Sequence, residues 1–353
     1  MNDGWIYQDQ VLPRDVGQTL VNYYAQRYRH SSQADWQQRI ESGQIWVDGA
    51  IAPPETLLKP GQRLAYRRPP WQEPPVPLTF EVLYDDGDVI AIAKPAGLPM
   101  LPGGGFVQHT LLWQVQQRYP AEDSDHRPYP VHRLGRGTSG LTLWGRSPAA
   151  RAYLTQQFRR NTAQPVSSPA EQSAAAPLRK TYRALVGAWQ LPDTFTLTQP
   201  IGKLPHPTLG YVYGATATGR PAHSEGRVLW RKGKDDIAPG GTTDCTLLEV
   251  TILTGRPHQI RIHLAAAGYP LLGDPLYLPG GIPRQPADSA TRDTASQAAA
   301  PCSESPPESP GVLPMPGDCG YWLHAHRLWF CHPIGTPMML EASPPLLLRE
   351  EWE

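Results

Sequence analysis

The sequence predicts an α+β protein with two domains, and three observations support this prediction. The chain has 353 residues, whereas a single hydrophobic core stops growing near about 250–300 residues. Residues 1–70 carry their own succession of helix, helix, strand and strand patterns, and a Pro-rich linker follows at 71–77. From residue 78 to residue 353, strand and helix patterns occur together, which is typical of a larger α+β domain.

The first domain is predicted from helical periodicity and turn residues. "GQTLVNYYAQRY" has apolar residues at helical spacing, and "SSQADWQQRIESG" offers a serine N-cap, a second helix and a stop at Gly43. A strand at "QIWVDG" turns at Asp48-Gly49, and "LLKPGQRLAYR" supplies a turn and another strand. About 55 residues bury little surface, so this is a small α/β module.

The second domain shows a hairpin pattern, three helices and several strands. "FEVLYDDGDVIAIAKPAG" predicts two strands joined by an Asp-Gly turn, and "HTLLWQVQQRYP" and "SPAARAYLTQQFRR" predict helices. Further strands are expected at "RKTYRALV", "HSEGRVLWRKG", "DCTLLEVTIL" and "YWLHAHRLWF". Two low-complexity insertions, 161–178 and 279–318, are rich in Pro, Ser, Ala and Gly, and we expect them to form no core.

Composition narrows the possible functions. The formal net charge is zero, which argues against a strongly basic nucleic-acid binder but is compatible with a local basic cleft. The four cysteines form no CxxC pair and no zinc-finger spacing, so we expect no metal and a reducing compartment. We find neither a basic, apolar leader nor a run of about 18 apolar residues. These features predict a cytoplasmic protein without a membrane segment.

The stretch "VHRLGRGTSGLTLWGRS", residues 131–147, reads as two strands around a glycine-rich turn. The turn carries two arginines, a histidine, a threonine and a serine but no carboxylate. From these residues alone, the turn could perform chemistry, hold a ligand or only connect two strands.

A second polar cluster lies in "TGRPHQIRIHL", residues 254–264, which follows an apolar strand. Its polar residues are Arg256, His258, Gln259, Arg261 and His263. Arginine suits bidentate contact with phosphate or carboxylate, but the same composition also fits a solvated helix N-terminus. In the following "GYPLLGDPLY", we interpret Asp274 as the structural carboxylate of a turn.

The motifs together resemble the RluA-type family of RNA pseudouridine synthases. They are, in chain order, "KPAG", "HRLGRGTSGL", "KTYRALV", "TGRPHQIRIHLAAAGYPLLGDPLY" and "LHAHRLWFCHP". The resemblance covers roughly 80–160, 179–278 and 321–345, and residues 1–70 resemble an S4 RNA-binding domain. It implies an α+β catalytic domain with a mixed or antiparallel central sheet flanked by helices.

The resemblance also implies an activity and a set of site residues. Family members isomerise uridine to pseudouridine in RNA without a cofactor or metal, after flipping the base out of the helix. By resemblance, Arg133 fills the space of the flipped base, Tyr182 packs against uracil, and Arg261 pairs with the catalytic carboxylate. We expect a monomer that binds rRNA or tRNA. The RNA-binding candidates are His132, Arg133, Arg136, Thr138, Arg256, His258 and Gln259.

One position departs from the family motif, which reads HRLD where this chain has Gly135. Glycine has no group that could attack C1′ or accept a proton. Either another carboxylate (Asp274, Asp125 or Glu225) serves an active synthase, or the protein is a catalytically inactive RNA chaperone or assembly factor. A non-RNA enzyme on this fold is a third alternative.

Two tests follow from that departure. An active site requires a carboxylate within about 4–6 Å of Arg261, the range in which opposite charges interact strongly. If the pocket is otherwise competent, we also expect Gly135→Asp to restore activity.

Overall fold

The structure is a computed structural model that describes residues 1–121, 123–163, 178–187, 190–207, 209–233, 244–285 and 314–350. The chain divides into two compact units. Unit 1 comprises Met1–Pro74, Gly103–Gln108 and Pro205–Tyr211, and unit 2 comprises the rest of the chain. The division after Pro74 falls within the 71–77 segment. Most of both expected insertions, 164–177 and 286–313, lies outside the described residues.

Unit 1 contains a four-stranded antiparallel sheet and two helices. Its elements are β1 (Trp5–Gln10), α1 (Leu20–Arg27), α2 (Gln33–Glu41), β2 (Ile45–Val47), β3 (Ala50–Ile51) and β4 (Arg63–Arg68). The strand order is β1-β4-β2-β3. The sequence analysis missed β1, because its side chains are mostly exposed and carry no alternation of apolar and polar residues.

The ends of α2 follow from local sequence. The Ser32 side chain accepts a hydrogen bond from the Asp35 backbone N–H, and the Asp35 carboxylate accepts one from the Ser32 backbone N–H. This reciprocal capping box satisfies two backbone donors that the helix cannot satisfy itself. Gly43, at φ 74°, adopts the left-handed conformation that ends the helix. The helix buries Trp36 and Ile40 in the core of unit 1.

Unit 2 is built on a ten-stranded mixed sheet. The strands are β5 (Glu81–Asp85), β6 (Val89–Lys94), β7 (Tyr129–Pro130), β8 (Ser139–Gly145), β9 (Arg179–Val186), β10 (Thr194–Leu197), β13 (Ser224–Lys232), β14 (Cys245–Ile252), β17 (Leu323–Cys331) and β18 (Pro337–Glu341). The order is β10-β13-β14-β9-β17-β8-β6-β5, with β18 beside β17 and β7 beside β8. Among the described pairs of this sheet, β17 and β8 alone run parallel.

Unit 2 also contains three helices, one small hairpin and most of a second one, whose residues Pro205–Tyr211 are counted in unit 1. The helices are α3 (Leu111–Arg118), α4 (Pro148–Ala163) and α5 (Gln259–Ala266), and the hairpin strands are β11 (Ile201–His206), β12 (Gly210–Ala215), β15 (Tyr277–Leu278) and β16 (Ile282–Pro283). The α+β class and the mixed sheet are as expected. None of the described helices is both long and apolar enough to cross a bilayer.

The short strands β10, β11, β12, β15 and β16 were not expected from the sequence. The last of them, β16, falls inside the expected insertion 279–318. The first residues of that range therefore belong to the folded domain. Pro279, Gly280 and Gly281 form the turn between Tyr277–Leu278 and Ile282–Pro283, and both glycines have positive φ. Gly-Gly suits such a hairpin turn, but in sequence it reads as part of a low-complexity tract.

The parallel contact between β8 and β17 brings distant parts of the chain together. Ser139 lies opposite His324, and Gly140 lies opposite Ala325. Gly140 has a φ of +105°, and a Cβ there would collide with the backbone of Ala325. Only glycine therefore allows this strand contact, which positions the residues on either side of it.

We predict that Gly140→Ala lowers the free energy of unfolding by about 3 kcal/mol or more, because it combines left-handed strain with a backbone collision. Gly335→Ala is the matched control, since Gly335 also has positive φ but no atom within 4 Å of its Cβ position. Urea denaturation measures both. Equal losses in the two variants would show that the close approach of the strands is not the cause.

Candidate active site

The glycine-rich turn is fixed to the "KPAG" loop by a buried lysine. Lys94 ends β6 and is 2% exposed. Its Nζ donates hydrogen bonds to the carbonyls of Pro95, Leu98 and Arg136 at 2.8, 2.8 and 3.0 Å. The Gly97 backbone N–H also donates to the Arg136 carbonyl at 2.9 Å. Because a buried ammonium needs such acceptors, Lys94 holds the turn in one place.

Gly135 faces the phenol of Tyr321. A Cβ at position 135 would lie 2.8 Å from the Tyr321 hydroxyl and 3.4 Å from Thr138 Oγ1, with no other described residue within 4 Å apart from its chain neighbours. Tyr321 is 1% exposed. Its hydroxyl lies 3.2 Å from Thr138 Oγ1. A phenol therefore occupies the space that a carboxylate at 135 would enter.

The backbone at Gly135 does not itself require glycine. Its φ lies outside the left-handed region, whereas that of Gly140 lies inside it. A Cβ at Gly137 would lie 3.0 Å from two ring carbons of Tyr321. Both glycines of the turn thus make room for one tyrosine ring.

Arg261 of α5 pairs with Asp274. Its Nε and Nη2 each donate to one carboxylate oxygen of Asp274 at 2.7 Å. The side chains are 3% and 1% exposed. The sequence test is therefore met, because a carboxylate lies within reach of Arg261. Asp274 Oδ1 also accepts from the backbone N–H groups of Leu276 and Tyr277 at 2.9 and 3.2 Å, so this carboxylate is committed to structure.

Two tyrosine rings flank the Arg261 guanidinium. Its central carbon lies 4.1 Å from the Tyr321 ring centroid and 5.0 Å from that of Tyr277. Burial disfavours the charged form of Arg261, but the Asp274 carboxylate outweighs burial and holds the pKa of Arg261 above its usual range. The cation is therefore permanent, and Tyr321 lies against it.

His258 stands at the N-terminus of α5 as a neutral ring. Tyr277 donates its hydroxyl proton to the Tyr213 carbonyl at 2.8 Å, so His258 Nδ1–H donates to the Tyr277 oxygen at 2.8 Å. Burial, and secondarily Arg261, lowers the pKa of His258 to about 3. Its Nε2 is then an acceptor, and no described residue donates a hydrogen bond to it.

Tyr182 joins the same region from β9. It pairs with Val250 on one side and Ala325 on the other. It belongs to one apolar cluster with Leu134 and Tyr321. Burial raises the pKa of Tyr182, so the phenol is neutral. The structure thus brings the turn, β9 and the start of β17 together in one cluster.

His132 and Gln259 belong to the scaffold. The Leu143 backbone N–H donates to His132 Nε2 at 3.0 Å, and the His132 ring stacks on Phe158 at 4.6 Å. Gln259 is 3% exposed, and its amide makes four hydrogen bonds, with Thr254, Arg256, His223 and Ser224. The Gln259 amide is thus fully paired inside the fold, whereas His132 is half-buried with only its Nε2 paired among the described residues, and contact of either residue with RNA stays a prediction.

Thr138 is also directed inward. It is 4% exposed, and its hydroxyl is within hydrogen-bonding distance of Tyr321. It therefore supports the turn from inside.

The three arginines predicted to bind RNA differ in how firmly their side chains are held. Arg133 is exposed, and its positive charge is close enough to His258 to lower the pKa of that ring. Arg136 Nε donates to the Gly97 carbonyl at 3.0 Å, and Arg256 Nε donates to the Pro221 carbonyl at 2.9 Å. Arg136 and Arg256 are thus held in place, whereas Arg133 reaches solvent beside the turn.

The other two candidate carboxylates are not brought to the site. Asp125 lies in a short 3-10 helix, Ser124–His126. Glu225 lies on β13, is 53% exposed and forms an ion pair with His223 at 3.5 Å. Among the described residues, neither is a partner of Arg261.

Sequence reasoning missed Tyr321 and undervalued Lys94. Tyr321 precedes β17 and contacts Thr138, from which it is separated by 183 positions in the sequence. No local pattern predicts such a contact. A lysine that ends the apolar strand "VIAIAK" and precedes proline was a usable signal, since a buried lysine requires acceptors. Among the described residues, no group of His, Cys, Asp and Glu side chains is arranged to hold a metal.

Comparison with known proteins decides the family. Residues 88–266 match the family model described as RNA pseudouridylate synthase. The chain is 44% identical to an uncharacterised RNA pseudouridine synthase of Synechocystis, over 93% of this chain and 94% of that protein. It belongs to the RNA pseudouridine synthase family. RNA pseudouridine synthase 5 of Arabidopsis thaliana is 39% identical to this family member over 98% of this chain and 94% of that protein.

A solved structure supports the fold of this pseudouridine synthase family member. Human RNA pseudouridylate synthase domain containing 1 superposes with a TM-score of 0.52 at 17% identity, over 78% of this chain and 87% of that one. The mixed sheet and its flanking helices are therefore the fold of pseudouridylate synthase domains.

We predict that Asp274→Asn lowers the free energy of unfolding by about 3–5 kcal/mol, because it leaves the Arg261 cation buried without a counter-charge. The control is Asp193→Asn, which removes an ion pair with Arg231 at 2.8 Å whose carboxylate is 85% exposed, and which should cost less than about 1 kcal/mol. Chemical denaturation compares the two. A similar small loss in both variants would contradict the structural importance of the Arg261–Asp274 pair.

Stability should depend on pH through His132. Burial, and secondarily Lys180, lowers the pKa of His132 from 6.5 to about 3. Between pH 6.5 and 3 the unfolded chain binds a proton that the folded chain does not bind. His132 therefore contributes its full stability above pH 6.5 and loses about 2 kcal/mol of it by pH 5.

His132→Gln should remove this loss, since glutamine supplies a neutral acceptor that does not titrate. Urea denaturation at pH 7.5 and pH 5 measures the difference for both proteins. If the wild type and the variant lose the same free energy of unfolding on acidification, His132 is not a buried neutral ring.

Proposed function

We propose that this protein is an RNA pseudouridine synthase of the RluA type that isomerises uridine in structured RNA, such as rRNA or tRNA, after flipping the base. Family membership supports the reaction. The observation that carries it for this chain is that Leu134 of the turn and Tyr182 share one apolar cluster with Tyr321, against whose ring Arg261 lies, although these residues come from separate parts of the sequence. A site of this kind suits a flipped nucleoside.

Each residue of the site receives a role in this proposal. The exposed Arg133 takes the place of the flipped base in the RNA helix. The buried ring of Tyr182 packs against uracil, and the His258 Nε2 acceptor offers a hydrogen bond to a donor of the nucleoside. Arg136 and Arg256 provide positive charge for phosphates, so RNA affinity should fall as salt rises.

Unit 1 offers a second, separate surface for RNA and is proposed as the S4-like domain. A cavity of about 440 Å³ is lined by Arg39, Tyr66, Arg68, Trp71 and other residues of this unit. The Arg68 guanidinium lies 3.6 Å from the Trp71 ring centroid. Aromatic faces combined with arginine suit the stacking and charge of an unpaired nucleotide.

A second candidate is a catalytically inactive RNA-binding protein that acts as a chaperone or assembly factor. One observation favours it: no described carboxylate lies within 4 Å of the Cβ position at Gly135. Binding of a flipped base needs the pocket but not the carboxylate.

Pseudouridine mapping separates the two candidates. RNA from cells that lack the gene should be incubated with the purified full-length protein, and pseudouridine mapped by mass spectrometry and reverse transcription. We expect at least one uridine to be converted. RNA binding without any conversion would leave only the RNA-binding candidate.

In the same assay, Arg133→Ala should slow conversion by about tenfold or more, because base flipping loses its replacement side chain. The folding free energy should change by less than about 0.5 kcal/mol, since the residue is exposed. Arg159→Ala is the matched control, an exposed arginine on α4, and should convert at the wild-type rate. Equal rates for both variants would remove Arg133 from the proposed mechanism.

A further inference from the structure

We propose that the hydroxyl of Tyr321 replaces the missing carboxylate as the group that reacts at C1′ of the flipped uridine. The inference rests on the proposed isomerase function. Tyr321 is a nucleophilic side chain that none of the roles above uses. Tyr321 would then join Tyr182 and Arg261 among the residues that take part in the reaction.

Position is the first argument. The Tyr321 hydroxyl lies 2.8 Å from where a Cβ at 135 would be, so it stands in the volume of a side chain at that position. Gly135 and Gly137 leave the room that the ring needs. Since the φ of Gly135 lies outside the left-handed region, the contact with the tyrosine, and not backbone strain, is what a side chain at 135 would meet.

The alternatives for this role are weak in the described structure. Asp274 accepts two hydrogen bonds from Arg261 and two from backbone N–H groups, and its side chain is 1% exposed, so it is held by the fold. Asp125 and Glu225 lie elsewhere. Tyr321 is the nucleophilic side chain that meets both the turn and Arg261.

The electrostatic environment of Tyr321 suits a phenol that gives up its proton during the reaction. Burial raises the pKa of Tyr321, while Arg261 and the Thr138 hydroxyl work in the opposite direction. The phenol is therefore protonated at neutral pH. The guanidinium 4.1 Å from its ring centroid stabilises negative charge when the proton leaves.

The proton balance of the reaction matches a neutral phenol. In the first step the Tyr321 oxygen bonds to C1′, the electron pair of the C1′–N1 bond stays with uracil, and the phenolic proton passes to N1. In the second step C5 bonds to C1′, the C1′–oxygen bond breaks with its electrons on the phenol, and the C5 proton returns to that oxygen. A tyrosine nucleophile at an anomeric carbon has precedent in sialidases.

Access to the hydroxyl requires the turn to move. Tyr321 is 1% exposed, and Gly135, Gly137 and Thr138 of the turn adjoin its ring and hydroxyl. Gly135 and Gly137 carry no side chains that would obstruct such a movement when RNA enters.

The decisive variant is Tyr321→Phe, which removes one oxygen and keeps the ring against Arg261. Single-turnover conversion should fall by at least about a hundredfold, the lower range for loss of a proton-transfer group, while RNA affinity and the melting temperature stay near wild type. Tyr153→Phe is the matched control. Tyr153 lies on α4, and its hydroxyl contacts Cys331 at the end of β17. This variant should convert uridine at the wild-type rate.

A second substitution, at Gly135, distinguishes loss of the Tyr321 hydroxyl from a folding defect. Gly135→Asp alone should be inactive, since its Cβ meets the Tyr321 hydroxyl; this replaces the simpler sequence expectation that it restores activity. Gly135→Asp combined with Tyr321→Phe should convert at least tenfold faster than Tyr321→Phe alone, because a carboxylate then enters the vacated space.

The outcomes separate the two proposals. If the wild type converts uridine and Tyr321→Phe converts it within about threefold of that rate, the role of Tyr321 is wrong and the proposed function stands. If the wild type converts no uridine in any RNA, both proposals fail together. A double variant no faster than Tyr321→Phe would also overturn the positional argument.

Discussion

The buried ion pair between Arg261 and Asp274 is the interaction on which the site depends. Both charges are withdrawn from water, and burial of this kind is tolerated only when every hydrogen-bonding position is filled. Here the carboxylate accepts from the guanidinium on one side and from two backbone N–H groups on the other. The pair therefore joins α5 to the turn before β15 and fixes the cation between Tyr277 and Tyr321. Loss of either partner would leave an uncompensated charge in the core of the site.

Because this charge is already balanced, the groups around it are neutral. His258 is held unprotonated by burial and by the arginine, and the phenols of Tyr182 and Tyr321 keep their protons. Uracil is itself a neutral, planar base with donors and acceptors at its edge. In the proposed function, a neutral aromatic pocket with exposed Arg133 at its edge suits a flipped base, and the phosphates are left to Arg136 and Arg256.

The elements of the fold that were predictable are those that a short stretch of sequence determines through local patterns. The capping box of α2, the Asp-Gly turn between β5 and β6 and the run from β14 into α5 each lie within about a dozen residues, so pattern and turn chemistry suffice. Strands without an apolar face, such as β1, and the Gly-Gly hairpin of β15 and β16 were missed. β1 is stabilised by pairing with the distant strand β4, and β15 and β16 have only two residues each, so neither leaves a clear trace in composition.

The sequence by itself determined the family motifs, the positions of Tyr182 and Arg261, and the absence of a carboxylate at Gly135. Only the tertiary structure decided which of the candidate acids faces Arg261 and which residue fills the space beside Gly135. It also placed the Gln259 amide in a buried hydrogen-bond network. The reason is physical: these outcomes depend on side-chain packing between strands that meet across long stretches of chain, as Thr138 and Tyr321 do over 183 positions. Local pattern specifies an element, but the partner that satisfies a buried polar group is chosen when the elements pack.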